Sequence, residues 1–342
     1  MITYNAKLTV ACNTNLSGVL PSKIHPTVAG IHFTENCNSR CRTCDCWRSR
    51  TEDKISTQRA IDLLDELDAL GIKNIRLAGG EPLMRRDLFE ILGHLNHDPR
   101  RRITLATNGL MLKKCTDDIN SSPITNLTVS LDGVGETNDQ IRGVTGGFDR
   151  VWDSLSRINK RIKIVSTLTN KLTPDEIKNI VELCKSQNYG FDINLPDSSI
   201  YLFASEEVRE SVEALWPDLN EAIACLDYLV ETGRMPNFIK KNAVHYLKTK
   251  KFCFNHCIQG FVCLYVDSQG NVRTGCYAFP PVGNIFEKSL EQIIHSEEYM
   301  RLAKKMFRYE CPNCTCGYGI SATYHSPVKG IAYAINRHKK AS

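Results

Sequence analysis

The sequence predicts an α/β fold built around a parallel sheet, and two observations predict it. Between residues 27 and 197, short β-branched or apolar runs alternate with amphipathic stretches, which gives six strand–helix units. The chain is 42% hydrophobic and 24% charged over 342 residues, as globular proteins are. Strands separated by helices pair in parallel through right-handed crossovers. Such a sheet can close fully, close partly or stay open, and the alternation does not choose among these.

The predicted elements follow one another in a regular order. The strands are rich in Val, Ile, Leu and Thr and cover residues 28–34, 74–78, 102–106, 126–131, 163–168 and 190–195. The helices carry apolar residues every three to four positions and cover residues 57–70, 86–96, 110–120, 148–159 and 174–187. The last of these starts with a capping Thr173 before Pro174, followed by two acidic residues, which is typical of a helix start.

The pattern changes after Pro196, and four segments are predicted. They are an N-terminal extension (1–26), the strand–helix region (27–197), a mostly helical linker (198–251) and a cysteine-rich C-terminal domain with a basic tail (252–342). In the last segment, residues 264–273 predict a hairpin around the turn Asp267-Ser268-Gln269-Gly270. A helix is predicted over 289–307.

Composition excludes several classes of protein. A chain of this length buries enough surface to fold without disulfides, and it has no run of about 18 apolar residues that would span a membrane. The first residues lack a secretory signal, so a cytoplasmic location is expected. A net charge of +5, dispersed along the chain, does not favour nucleic acid as a partner.

Cysteine is the unusual component, with 15 residues in the chain. Because the cytosol keeps thiols reduced, metal or cluster ligation is a better explanation than disulfides. Cys37, Cys41 and Cys44 directly follow the first predicted strand, and three thiolates would leave one iron of a four-iron cluster open. A structural zinc site with Cys46 as the fourth ligand is the alternative. Position after the first strand, where α/β folds place chemistry, favours the cluster.

This triad resembles the signature of the radical S-adenosylmethionine (SAM) superfamily, which implies a partial (βα)6 TIM-like barrel. Gly79-Gly80-Glu81-Pro82 resembles the segment that holds the methionine amino group of SAM, where two glycines allow a close backbone approach. The resemblance implies polar contacts to the ribose and carboxylate of SAM from four further residues: Asn108, Ser130, Asp132 and Arg142. Asn108-Gly109 and Asp132-Gly133 are also ordinary turn dipeptides, and that reading stays open.

The C-terminal cysteines resemble the auxiliary-cluster domains called SPASM and, in the shorter form, twitch. The resemblance implies an auxiliary [4Fe–4S] cluster on Cys257, Cys276, Cys311 and Cys314, separated by the hairpin and the helix. No cysteine follows Cys316, which favours the single-cluster form; Cys316 could replace Cys314, and zinc on the same residues is the alternative. A lone Cys263 is expected in the core or as a hydrogen-atom donor.

The resemblance implies an enzyme that reductively cleaves SAM to a 5′-deoxyadenosyl radical and removes a hydrogen atom from a substrate. The auxiliary cluster would assist net oxidation, and a thiol donor would instead give epimerisation. A flavodoxin- or ferredoxin-type protein would supply the electron.

Three hypotheses about the function remain. About 26 residues precede the first strand, too few for a leader-binding module, so a small biosynthetic intermediate such as a sugar or aminocyclitol is expected. A peptide- or protein-modifying enzyme with the same clusters is the second hypothesis. A non-catalytic, cysteine-rich metal-binding protein is the third.

Overall fold

The computed structural model describes residues 20–49, 51–197, 205–251 and 256–311. Within them lies one nine-stranded sheet in the order β6-β5-β4-β3-β2-β1-β7-β8-β9. The strands are β1 (Val28–His32), β2 (Asn74–Ala78), β3 (Arg102–Thr107), β4 (Asn126–Ser130), β5 (Arg161–Thr167), β6 (Gly190–Asn194), β7 (Cys263–Val266), β8 (Asn271–Arg273) and β9 (Gly283–Asn284). The six predicted strands are confirmed, with ends shifted by at most two residues.

Strands β1 to β6 pair in parallel with their sequence neighbours, so the predicted α/β class is confirmed. In the described part of the chain the sheet has two free edges, β6 and β9, and it therefore forms an open, partial barrel. The alternation of strands and helices did not show whether the sheet closes or stays open, and the linear strand order answers that question.

The helices lie mainly in the strand–helix region and in the linker. They are α1 (Thr57–Ala69), α2 (Leu88–Gly93), α3 (Leu112–Ser121), α4 (Glu136–Arg142), α5 (Gly147–Leu155), α6 (Pro174–Ser186), α7 (Glu206–Ala214), α8 (Leu219–Glu231), α9 (Asn237–Thr249), α10 (Gln259–Val262), α11 (Leu290–Ile294) and α12 (Glu297–Phe307). Helix α6 begins as predicted, because the Thr173 side chain accepts a hydrogen bond from the Glu176 amide.

The predicted helices 86–96 and 148–159 are shorter in the structure, and the larger differences lie at two other places. The helix expected over 289–307 is two helices, since Ser296 starts α12 as a new N-cap and accepts a hydrogen bond from the Tyr299 amide at 3.2 Å. Helix α4 was not predicted, because its seven residues are mostly polar and lack a helical apolar repeat. Its C-terminal residue, Arg142, reaches the site described below.

The two faces of the sheet differ in chemistry. One face is apolar and buried, and it carries Ala29, Ile31, Ile75, Leu77, Ile103, Leu105, Leu127, Val129, Ile162 and Ile164. The strand register places a second set together on the opposite face, which we call the inner face: Gly30, His32, Arg76, Thr104, Thr128, Lys163, Asp192 and Tyr265. This alternation is typical of a sheet with only one face in the core.

The C-terminal hairpin extends the barrel sheet. Strand β7 pairs in parallel with β1, with Val28 opposite Cys263 and Gly30 opposite Tyr265, and β8 pairs antiparallel with β7. Gly30 has a specific reason to be glycine, because a Cβ atom there would overlap the ring of Tyr265. The cysteine-rich segment is thereby joined to the first strand of the barrel.

Candidate functional site

The cysteine triad lies on the loop that follows β1, and all three thiols are partly buried. Helix α4 holds this loop by backbone hydrogen bonds: the Arg40 amide donates to the Arg142 carbonyl at 3.1 Å, and the Arg42 amide donates to the Ile141 carbonyl at 3.0 Å. The Ser39 hydroxyl also donates to the Arg142 carbonyl, at 3.0 Å. The end of α4 therefore sets the course of the triad.

The Gly-Gly-Glu-Pro segment packs directly against the start of the same loop. The Gly80 amide donates to the Thr34 carbonyl at 3.0 Å, and the Glu81 amide donates to the Asn36 carbonyl at 2.7 Å. A Cβ atom on Gly80 would lie 2.5 Å from the Glu35 carbonyl oxygen and would overlap that of Asn36. The structure thus brings together the two motifs that the sequence places more than thirty residues apart, and Pro82 begins a buried 3-10 turn beside them.

Glu81 is fully buried, and its carboxylate accepts three hydrogen bonds from the protein. The donors are the Thr107 hydroxyl at 2.7 Å, the Asn108 amide at 2.7 Å and the Leu83 amide at 3.1 Å. Burial raises the pKa of Glu81 despite these donors. The carboxylate therefore ties the end of β2 to the end of β3, a role that sequence reasoning missed. Its contact to the methionine amino group stays a prediction.

Asp132 and Arg142 form a buried ion pair beside the triad. Arg142 Nε lies 2.7 Å from Asp132 Oδ2, although its N–H is not aimed at that oxygen, and Nη1 lies 3.7 Å from Cys41 Sγ. Asp132 Oδ1 accepts a hydrogen bond from the Thr167 amide at 2.6 Å. Burial opposes the charge on Arg142, yet Asp132 and Cys41 raise its pKa above its usual value. In this arrangement Arg142 faces the Cys41 thiol and the Asp132 carboxylate.

The remaining predicted cofactor contacts also lie at the carboxyl ends of the strands. Asn108 Nδ2 donates to Asn38 Oδ1 at 2.8 Å and lies 3.8 Å from Cys37 Sγ. Ser130 is the last residue of β4 and is partly exposed. Their roles toward SAM stay predictions. The predicted cofactor-binding residues all lie at the same end of the sheet as the triad: Gly79, Gly80, Glu81, Pro82, Asn108, Ser130, Asp132 and Arg142.

The thiols of the triad differ in their acidity. Burial raises the pKa of Cys37 to about 11 and also raises the pKa of Cys41. A hydrogen bond from the Cys46 thiol lowers the pKa of Cys44 to about 7. Cysteine sulfur is the usual ligand of iron–sulfur clusters, and a guanidinium beside Cys41 offsets thiolate charge, so the donor set fits such a cluster. Among the described residues, no group of three or more His, Cys, Asp or Glu side chains has the arrangement that would hold one metal ion.

The predicted auxiliary ligands are described in part. Cys257 and Cys276 are buried and Cys311 is partly buried, whereas Cys314 and Cys316 lie outside the described residues. The Cys276 sulfur accepts a hydrogen bond from the Ala278 amide at 3.4 Å. Cys263 donates to Gln259 Oε1 at 3.4 Å and pairs with the first residue of β1, at the end of the strand opposite the triad. That location does not favour a hydrogen-atom donor.

Two family models match the chain, and they match its two cysteine-rich parts. The radical SAM superfamily model covers residues 31–184, and the model of the SPASM iron–sulfur cluster-binding domain covers residues 257–316. The chain belongs to the radical SAM superfamily. Its C-terminal part is a SPASM domain, so both resemblances found in the sequence are confirmed.

Curated relatives match the barrel region. GTP 3′,8-cyclase of Synechocystis sp. is 30% identical over 161 residues, which cover 45% of this chain and 49% of the cyclase. AdoMet-dependent heme synthase of Methanosarcina barkeri is 31% identical over 166 residues, which cover 47% of each chain. The chain thus spans about half the length of the curated relatives it matches.

Solved structures share the fold over most of the chain. Streptococcus suis SuiB bound to S-adenosylmethionine superposes with a TM-score of 0.64 at 15% identity, covering 85% of this chain and 73% of SuiB. Native anSMEcpe with bound AdoMet superposes with a TM-score of 0.56 at 14% identity, covering 90% and 99% of the two chains. These radical SAM folds carry SAM, and the two matched domains imply [4Fe–4S] clusters as cofactors of this chain. None of the described helices has the length and apolarity that crossing a membrane requires.

One polar group near the triad was missed entirely by sequence reasoning. The Tyr277 hydroxyl lies 2.9 Å from His32 Nε2, and His32 Nδ1 lies 3.7 Å from the Glu35 carboxylate. Tyr277 also stacks on Tyr265, with ring centroids 4.8 Å apart. Tyr277 and His32 are 245 positions apart, so no local pattern could have joined them. Alternation in β1 does place His32 on the same face as Gly30.

Proposed function

We propose that this radical SAM enzyme oxidises or epimerises a polar small molecule bound against the inner face of the sheet. The observation that carries the proposal is the polar chemistry of that face, which leads up to the cysteine loop. Lys163 Nζ lies 3.3 Å from Asp192 Oδ2, and both side chains stay more than a third exposed. Thr128 stands beside Lys163 on the next strand.

Such a surface suits hydroxyl and amino groups. It offers a cation, an anion and hydroxyls in neighbouring positions, and polar groups that a ligand covers select for ligands that can hydrogen-bond to them. A large apolar ring system would take water from these groups without offering them hydrogen bonds in return. We therefore favour a sugar-like or aminocyclitol-like intermediate as the substrate.

Cys37, Cys41 and Cys44 would hold the cluster that binds SAM, and with SAM it supplies the 5′-deoxyadenosyl radical. Arg142 balances thiolate charge at Cys41. Glu81 fixes the ends of β2 and β3, so that the loop and the Gly-Gly-Glu-Pro segment keep one geometry. The helices that cover the apolar face shield that side of the sheet from water.

Modification of a peptide is the second candidate, and the free edge of β6 favours it. Within the described residues β6 pairs only with β5. An extended peptide can add to such an edge through main-chain hydrogen bonds. The fold is also that of SuiB, which has been crystallised with its precursor peptide SuiA.

A cytoplasmic location and a flavodoxin- or ferredoxin-type electron donor belong to the same proposal. Cysteine-ligated clusters need thiols that stay reduced, as the cytosol keeps them. The donor is needed because reductive cleavage of SAM consumes one electron.

The first test is anaerobic incubation of the reconstituted protein with SAM and dithionite. We expect 5′-deoxyadenosine from the parent and none from Cys37→Ala, Cys41→Ala or Cys44→Ala. Cys46→Ala is the matched control, because Cys46 lies on the same loop outside the proposed ligand set, and it should retain cleavage. Iron and sulfide should each approach about eight per chain, for two clusters. Tightly bound zinc without SAM cleavage would support the non-catalytic metal-binding alternative instead.

The second test addresses the substrate. Deuterated sugars and aminocyclitols are incubated with the enzyme, and deuterium in 5′-deoxyadenosine is measured by mass spectrometry. Transfer from a polar small molecule is the expected result, whereas transfer only from a peptide would favour the second candidate. Cys276→Ala should still cleave SAM but form no oxidised product.

A further inference from the structure

We propose that His32 is a catalytic residue, the proton acceptor used when the substrate is oxidised; this rests on the proposed function. His32 is the last residue of β1 and lies on the inner face, level with Ala78 and directly before the cysteine loop. A Cβ atom on Gly79 would come within 3.1 Å of its side chain, so the imidazole borders the Gly-Gly-Glu-Pro segment. Its side chain is 13% exposed.

Glu35 stands behind the imidazole as a positioning residue. Its side chain is 3% exposed and lies 3.7 Å from His32 Nδ1. Neither carboxylate oxygen has a hydrogen-bond partner among the described residues. A buried carboxylate without donors is costly unless a positive charge comes beside it. Protonation of His32 would supply that charge.

Tyr277 connects the imidazole to the auxiliary domain. Its hydroxyl lies 2.9 Å from His32 Nε2, and it directly follows Cys276, a proposed cluster ligand. The ring stacks on Tyr265, and the guanidinium carbon of Arg273 lies 5.9 Å from the ring centre. The charged or titratable groups that face His32 and Tyr277 are Glu35, Tyr265, Arg273, Asp267 behind Arg273, and Arg76 one register step below.

The proposed step balances as follows. The 5′-deoxyadenosyl radical removes a hydrogen atom from a carbon that bears a hydroxyl or amino group. The resulting carbon radical would give one electron to the auxiliary iron–sulfur cluster while its O–H or N–H bond breaks; that proton goes to the Tyr277 hydroxyl, which passes its own proton to His32 Nε2. A C=O or C=N bond forms, and the imidazolium pairs with Glu35. Reduction would add negative charge to the auxiliary domain, on the side of His32 where Tyr277 and Cys276 lie, and this would favour proton uptake by the imidazole.

The test needs no substrate. A full-length chain with Cys37, Cys41 and Cys44 all changed to Ala retains the auxiliary cluster, whose midpoint potential is followed by EPR between about pH 6 and pH 9, the range in which histidines titrate. We expect the potential to fall by up to about 59 mV for each tenfold drop in proton concentration. His32→Gln in this background should remove the slope, and His94→Gln, an exposed histidine on the surface, should keep it.

Glu35→Gln is the second variant. It removes the charge that would pair with the imidazolium, so the slope should become smaller. A slope that survives in His32→Gln, or a parent with no slope, would overturn the proposal. Failure of the proposed function is a separate outcome, because it appears as absence of 5′-deoxyadenosine from the unmodified enzyme.

Discussion

Arg142 contacts the cysteine loop through both its backbone and its side chain. Its backbone carbonyl accepts hydrogen bonds from the cysteine loop, and its side chain lies between Cys41 and the buried Asp132. Residues that resemblance assigns to SAM therefore hold the site together as well. Loss of the Arg142 side chain should therefore lower the stability of the folded protein even where no cofactor is bound.

Arg142→Gln should destabilise the cluster-free protein by about 3–5 kcal/mol, because it leaves the Asp132 carboxylate buried without its counter-charge. Urea unfolding measures this change in the free energy of unfolding. Asp132→Asn combined with Arg142→Gln should cost less than the sum of the single changes, since neither charge is then left alone. Additive losses would contradict the ion pair.

At the scale of elements, the site depends on how closely two loops approach. The turn after β2 carries Gly79, with φ at 117°, and Gly80, whose amide donates a hydrogen bond to the Thr34 carbonyl. A side chain at Gly80 has no room because the backbone of the cysteine loop occupies it. Glycine here is required by packing between two segments.

Gly80→Ala should force the loop carbonyls of Glu35 and Asn36 away and lower both thermal stability and the iron retained after reconstitution. Gly93→Ala is the matched control, since nothing lies within 4 Å of a Cβ atom at that helical position. It should stabilise the protein by about 0.5–1 kcal/mol. Equal melting temperatures for the two variants would show that the close approach does not matter.

At the scale of the whole molecule, the C-terminal segment is attached to the barrel at several points. Beyond the pairing of β7 with β1, the Glu66 carboxylate of α1 accepts a hydrogen bond from the Leu290 amide at 2.6 Å. Arg59 Nη2 donates to Glu66 at 2.8 Å and to the Ile285 carbonyl at 3.0 Å. Helix α1 thereby holds the start of α11 in place.

Glu66→Ala should destabilise this attachment by about 1–3 kcal/mol, because it leaves the Leu290 amide without its acceptor and Arg59 with the Ile285 carbonyl alone. Hydrogen exchange of residues 283–307 should become faster than in the parent. Glu298→Ala provides the control, since among the described residues that carboxylate forms its ion pair with Arg301 on the surface of α12. Unchanged exchange in Glu66→Ala would show that the sheet alone fixes the segment.

Much of the fold was predictable because the signals are local. The apolar faces of strands such as Ile75 and Leu77 follow a period of two, and Thr173-Pro174 marks a helix start by its own backbone preferences. The cysteine spacing and the Gly-Gly-Glu-Pro segment are contiguous, so the cluster chemistry could also be inferred. The break at Ser296 was missed because the apolar repeat runs across it.

The sequence by itself determined the parallel α/β core, the positions of its strands and the two iron–sulfur domains, since each depends on neighbours along the chain. Only the tertiary structure decided that the sheet stays open, that β7 joins β1, and that Tyr277 meets His32. These features depend on contacts between segments far apart in the chain, such as the packing of Tyr265 over Gly30. Several strand orders are compatible with the same local pattern, and only such contacts fix the one observed.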